Sequence, residues 1–251
     1  MKRNFVYVAV LMFVVFGCGE EKSANQDPLF VPFLPDMSTS DASVEVDAEL
    51  PQAAEMPEAR VYLNDPVTDN NMVSDVVMQR PTSVDGRLTS NWVEVFNCLN
   101  EEGGISASPD FGPFPVTVYL CLEQQVVRPD ADGHYLSVTP PEDDSDPNDP
   151  FAELMMYHHV NVAHDYFKDS FGFTALDFPL PALVNFQLRT DPVLPFLQPG
   201  PDGWIGLANA AFFPKESWRQ FAAQFGLPPR DTDTIIFFQG DKDFAYDSRV
   251  I

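Results

Sequence analysis

Between Arg60 and Pro140 the apolar positions come in short runs that alternate with polar ones, at Arg60 to Leu63, Val73 to Met78, Trp92 to Phe96, Val116 to Leu120 and Tyr135 to Val138. Each run is bounded by Asn-Asp-Pro, Asp-Gly or Pro-rich turns, and that pattern predicts strands. Asp85-Gly86 and Asp132-Gly133 supply residues able to take φ > 0 at such turns. Residues 60–141 therefore read as a small β-rich unit. The period changes after the acidic break Glu142 to Asp149. Asp149 stands as an N-cap, Pro150 at the first helical position and Gly172 just beyond the end, which predicts a long helix. Met156, Val160, Ala163 and Phe167 recur at helical spacing and are expected to form its buried stripe. Short strands follow at Leu183 to Leu188, Trp204 to Phe213 and Thr234 to Phe238, with an amphipathic segment at Glu216 to Gly226. The expected fold class is α+β, a small β-rich unit followed by a lobe over 148–251 in which one long helix packs on a short-stranded sheet.

The N-terminal segment changes the picture by adding an address. Lys2 and Arg3 precede an uncharged run from Phe5 to Phe16 (FVYVAVLMFVVF) that leads to Gly17-Cys18. The run is too short to span a bilayer, which takes about 20 helical residues, and has the form of a secretory signal over 1–17. Val15-Phe16-Gly17-Cys18 resembles a bacterial lipobox, although Phe16 is bulkier than usual there. The resemblance implies that Cys18 is acylated and becomes the mature N-terminus, fixing the chain to the cell envelope on the periplasmic or surface side. An uncleaved anchor or an ordinary signal peptide are the alternatives. Residues 18–59 mix acidic residues with Ser, Ala and Pro and bury too little apolar area to fold, so they read as an acidic spacer that self-repulsion extends.

Charge excludes one class of partner. The chain of 251 residues carries 14 Lys+Arg against 38 Asp+Glu, a formal net charge of -24, and nucleic-acid affinity comes mainly from cationic side chains that neutralise phosphates. Nucleic acid is therefore not an expected partner. Cys98 and Cys121 remain once Cys18 is set aside, and an oxidising compartment makes a disulfide the simplest pairing. Such a loop stabilises a fold by about 3 kcal/mol. Two buried thiols are the alternative.

Catalytic motifs are sparse. His158, His159 and His164 suggest a metal cluster, but on a helix His159 and His164 point about 140° apart and His158 and His164 about 120° apart. A helical zinc pair needs an i, i+4 offset. Asp130-x-Asp132-Gly133 opens like a calcium loop, yet His134 stands at its fifth position and Pro141 at the twelfth, where the terminal Glu belongs. No G-x-S-x-G elbow, Walker loop or C-x-x-C pair occurs.

Four segments in order, FAELMMYHHVNVAHDYFKDSFGF (Phe151 to Phe173), Val184-Asn185-Phe186-Gln187, Asn209-Ala210-Ala211-Phe212 and IIFFQGDKDFAYDSRVI (Ile235 to Ile251), resemble the stretch upstream of the catalytic helix in thermolysin-like and fungalysin-like zinc metallopeptidases. The resemblance covers Phe151 to Ile251. It implies that His164-Asp165 matches the family's helix pair, that Asn209 and Ala210 line the substrate-facing sheet edge, and that Asp247 with Val250-Ile251 forms the strand entering the catalytic helix. Asp241 and Asp243 stand where the family often begins a calcium site. The sequence contains no H-E-x-x-H, whose two histidines and glutamate, with a further carboxylate, hold the zinc and activate its water.

The expectation is accordingly a lipid-anchored, exported chain resembling the non-catalytic front part of a zinc metalloendopeptidase, inactive alone, with no catalytic residue and no metal site of its own. Zinc, and calcium beside it, belong only to a full-length relative. Expected partners are the membrane through the anchor, an extended peptide at the edge near Asn209 and Ala210, or the missing catalytic lobe. The alternative is a stand-alone surface lipoprotein that binds peptides or proteins.

Overall fold

The structure is a computed structural model that describes residues 55–64, 68–100, 106–107, 116–141, 149–193, 199, 203–205, 210–225 and 229–238. The proposed signal, Cys18 and the acidic spacer up to residue 54 lie outside the described residues, as do Asn209, Asp241, Asp243, Asp247, Val250 and Ile251. What is described is an α+β fold. Its strands are β1 (Glu58–Val61), β2 (Ser74–Val77), β3 (Val93–Leu99), β4 (Ser106–Ala107), β5 (Thr117–Leu120), β6 (Leu122–Gln124), β7 (Leu180–Phe186), β8 (Leu188–Asp191), β9 (Ala210–Phe213) and β10 (Thr234–Phe238). Its helices are α1 (Pro150–Phe171) and α2 (Lys215–Phe225).

A mixed five-stranded sheet in the order β6-β3-β7-β10-β9 forms the centre. β3, β7 and β10 run parallel, and the outer strands β6 and β9 pair antiparallel to β3 and β10. Central β7 (LPALVNF) is buried at every position, as expected for a strand covered on both faces. α1 lies between β6 and β7 and completes the connection from β3 to its parallel neighbour β7. Its start meets the far ends of those strands, where Asn97 and Asn185 donate from Nδ2 to the Asp149 carbonyl at 3.1 and 2.9 Å. Its end returns to their beginnings, where the Leu180 amide bonds the Trp92 carbonyl.

Two strands pass from this sheet into a three-stranded one, β4-β5-β8. β7 leaves through Asn185, whose φ of 56° lies in the left-handed region that Asn tolerates better than most side chains. β5 continues into β6 through Cys121. There Cys98 of β3 is bonded to Cys121, with the Cα atoms 5.2 Å apart, within the usual range for a bridge.

α1 begins and ends as its sequence predicts. Asp149 Oδ1 accepts the Phe151 amide at 2.8 Å. Gly172 takes φ 65°, and the amides of Gly172 and Phe173 return to Lys168 and Phe167, the first being the 5→1 bond of an αL cap.

The burial of α1 corrects the expected stripe. Met156 is buried, but Val160 is half-buried, and Ala163 and Phe167 are exposed. Burial instead runs without a break from Phe151 to Tyr157. Those two turns are enclosed all round, packed with Val93, Val95, Ala182 and Val184 of the sheet and with Ala59, Val61, Tyr62, Val127 and Tyr135 in one core. A helix enclosed on every side shows no single-stripe pattern. Strands from 60–141 and from 148–251 thus share both the central sheet and this core.

Three other sequence expectations differ in detail. Tyr135 to Val138 forms no strand, and only an isolated bridge joins Tyr135 to Ala59. The Tyr135 hydroxyl instead donates toward the Gly86 carbonyl and Thr82 at 2.8 and 2.9 Å, and burial pushes its pKa up to about 12. Leu183 to Leu188 divides between β7 and β8. Of Trp204 to Phe213, strand β9 takes the last four residues.

Candidate functional site

β9 stands last in the central sheet, and its register against β10 pairs Ala210 with Phe237, Ala211 with Ile236, Phe212 with Ile235 and Phe213 with Thr234. Directly opposed residues share a face, so Ala210 and Phe212 lie beside Phe237 and Ile235, the half-buried residues that pack on the core. Ala210 and Phe212 are exposed. Phe213 turns to the other face and meets the Trp218 ring of α2 edge-on at 5.8 Å. α2 is fastened beside this strand by the Lys215 amide, which donates to Asp233 Oδ1 at 2.7 Å, and by Arg219 on Asp231 at 2.8 Å. The edge therefore presents two small side chains followed by an aromatic one, with no charge or proline inside the strand. Natural edges usually carry such features to discourage pairing.

His164 and Asp165 belong to a different place, the second half of α1. The His164 ring stacks on Trp92 at 4.1 Å and 13°, with Nε2 at 2.9 Å from Asp177 and Nδ1 at 3.4 Å from Asp165. Arg80 pairs with Asp165 at 2.6 Å. Lys168 pairs with Asp177 at 2.6 Å and places its ammonium 4.2 Å from the centre of the Trp92 ring. The Asp177 pKa is lowered, first by the hydrogen bond from Lys168 and then by that from His164. Two cations, two carboxylates and an imidazole thus enclose one indole. The arrangement ties α1 to the loop before β3 and to the loop before β7, and its carboxylates already have cationic partners.

His158 and His159 sit edge to face at 4.9 Å, and His159 Nε2 lies 3.0 Å from the Tyr62 carbonyl. Burial pulls the His158 pKa down to about 4, with the neighbouring His159 adding to the effect, and lowers that of His159 as well. Both imidazoles are neutral at pH 7. Among the described residues no three His, Cys, Asp or Glu side chains come together to hold a metal ion.

The least expected group is Glu153. It is completely buried in the first turn of α1 and accepts the amides of Val126 at 3.1 Å and Val127 at 3.3 Å. Desolvation pushes its pKa up to about 8, against the opposing pull of those amides and of Arg128. The sequence hides it, because an acidic residue in a first turn is what the helix dipole favours at a surface. Arg80, Trp92 and Asp177 carry no local signal of their meeting at His164 either.

The site is thus a sheet edge on an α+β protein whose long helix covers a mixed five-stranded sheet. Comparisons with protein-family models, with curated proteins and with solved structures find no match. The particular protein is therefore defined by its own residues.

Proposed function

We propose that this chain is an exported, lipid-anchored protein whose β9 edge takes an extended peptide by strand addition, in the manner of the substrate wall of a zinc metallopeptidase. The observation that carries the reading is the position of β9, with its exposed Phe212, at the end of the central sheet among the described residues. Strand addition draws its affinity from main-chain hydrogen bonds and its selectivity from alternate side chains. Ala211 is small, and the exposed Phe212 offers an apolar contact to a ligand side chain on its face of the sheet. Asn209 precedes this strand directly in sequence, and the proposed peptide contact includes it.

No zinc-dependent cleavage is expected of this polypeptide, because its sequence carries no H-E-x-x-H. Cleavage of casein that a chelator abolishes, or tight stoichiometric uptake of zinc, contradicts that expectation. Strand addition is tested by calorimetric titration with a blocked peptide alternating Lys and Leu. Its charge-matched control has alternate backbone nitrogens methylated. The proposal expects the methylated peptide to bind at least about tenfold more weakly, the loss of about 1.4 kcal/mol. Equal affinity points to charge attraction alone and overturns it.

A second reading, a stand-alone surface lipoprotein that binds peptides or proteins, draws support from the core that runs unbroken from Ala59 to Val184. The DNA beyond codon 251 separates the two. An H-E-x-x-H motif in continuation favours the peptidase wall, and its absence in every frame favours the binding module.

A further inference from the structure

The end of α1 carries aromatic surface that stays exposed among the described residues. Tyr166, Phe167, Phe171 and Phe173 are 58%, 50%, 68% and 44% exposed. The first three touch one another, with ring centroids 5.4 to 6.0 Å apart. All four lie in the last turns of α1 or just beyond its glycine cap, so the patch sits at a helix terminus. Contiguous exposed apolar patches of this kind mark contact sites.

We infer that this tip inserts into the headgroup region of a zwitterionic lipid surface and lays the folded part against the membrane that holds Cys18. The inference rests on the reading of Cys18 as an acylated residue. Phe and Tyr together suit the boundary layer of a bilayer, where an apolar ring body and a polar edge are both accommodated. Charge selects among occupants. A second copy brings another formal charge of -24, and an anionic surface repels this one. A neutral lipid surface does neither. Chain length permits the contact, since 36 residues lie between Cys18 and Glu55 and a chain of that length spans at most about 130 Å. Extension of the acidic spacer works in the opposite direction, and the tip supplies the attraction that overcomes it.

The test uses the full chain from a bacterial host, reconstituted into phosphatidylcholine vesicles. Cys98 and Cys121 are bonded to each other, so Phe171→Cys supplies one free thiol once Cys18 is acylated. Leu63→Cys provides a control at another exposed site, since Leu63 is 54% exposed. With an environment-sensitive dye on each, the inference expects a blue shift at 171 and several-fold stronger quenching by brominated lipid there than at 63. Amide exchange of the unmodified chain, slowed by vesicles over 166–173, gives the same answer without a substitution.

Mass analysis of the Cys18 peptide reads the anchor separately. An unacylated Cys18 overturns both readings. An acylated Cys18 with an unshifted dye at 171 leaves the anchor standing and shows the spacer holding the domain off the surface, which overturns the inference. A blue shift that grows with protein concentration in the absence of vesicles identifies a second copy as the occupant, and likewise overturns it.

Discussion

From Phe151 to Tyr157 every residue of α1 is buried, whereas from Tyr166 to Phe171 every residue but Lys168 is exposed. The two ends of one helix are thus held by different physics. The first is a plug of side chains between the central sheet and the β1 layer. The second is an arm fastened by the Arg80, Asp165, His164, Asp177 and Lys168 network and closed by its glycine cap. Side chains lost from a plug leave a cavity, while those lost from the arm leave water. The comparison predicts a steep gradient of mutational cost along the helix.

The largest effect is expected at Leu154, fully buried in the plug. Leu154→Ala lowers the unfolding free energy by about 2–5 kcal/mol, read by chemical denaturation. A cost below about 1 kcal/mol means that the plug is loosely packed.

Next comes Glu153, where the cost follows pH. Its folded pKa of about 8 lies above that of an ordinary carboxyl, so the folded chain holds the proton more tightly than the unfolded one does. The stability it contributes is complete below the unfolded pKa and is lost as pH rises toward 8, at on the order of 1 kcal/mol per pH unit. Glu153→Gln keeps an oxygen for the Val126 and Val127 amides and flattens that dependence, so the variant exceeds the parent in stability at pH 7.5. Identical profiles for the two chains from pH 5 to 8 contradict this.

The arm is expected to yield less. The Asp165 and Arg80 side chains are 22% and 39% exposed, and solvent screening limits such a pair to about 0.5–1 kcal/mol, read in Asp165→Asn. Phe167→Ala, at the tip, changes stability by less than about 0.5 kcal/mol in solution without lipid. A cost at Phe167 equal to that at Leu154 erases the distinction between plug and arm.

The same contrast explains what was legible beforehand. The ends of α1 are local, so Asp149, Pro150 and Gly172 disclosed them. β10 was bounded correctly by its β-branched and aromatic run, and two cysteines in a chain expected to be exported sufficed for the pairing of Cys98 with Cys121. The buried face of α1 was not legible, because a plug closed by sheet, β1 and the segment after β6 owes its burial to residues far away in sequence. Tyr135 to Val138 alternates like a strand, yet the hydroxyl of Tyr135 is engaged by Gly86 and Thr82, and the segment joins no sheet. Of the assigned edge residues, Ala210 stands in β9, the last strand of the sheet among the described residues, and Asn209 lies outside them.

Strand addition at β9 is the claim on which the proposed function depends, and backbone amide exchange at Ala211, Phe212 and Phe213 tests it most directly. The account predicts that saturating Lys-Leu peptide slows exchange at alternate positions of β9 and that the N-methylated peptide does not. Exchange in β9 that stays unchanged under saturation, or protection confined to residues 166–173, contradicts it.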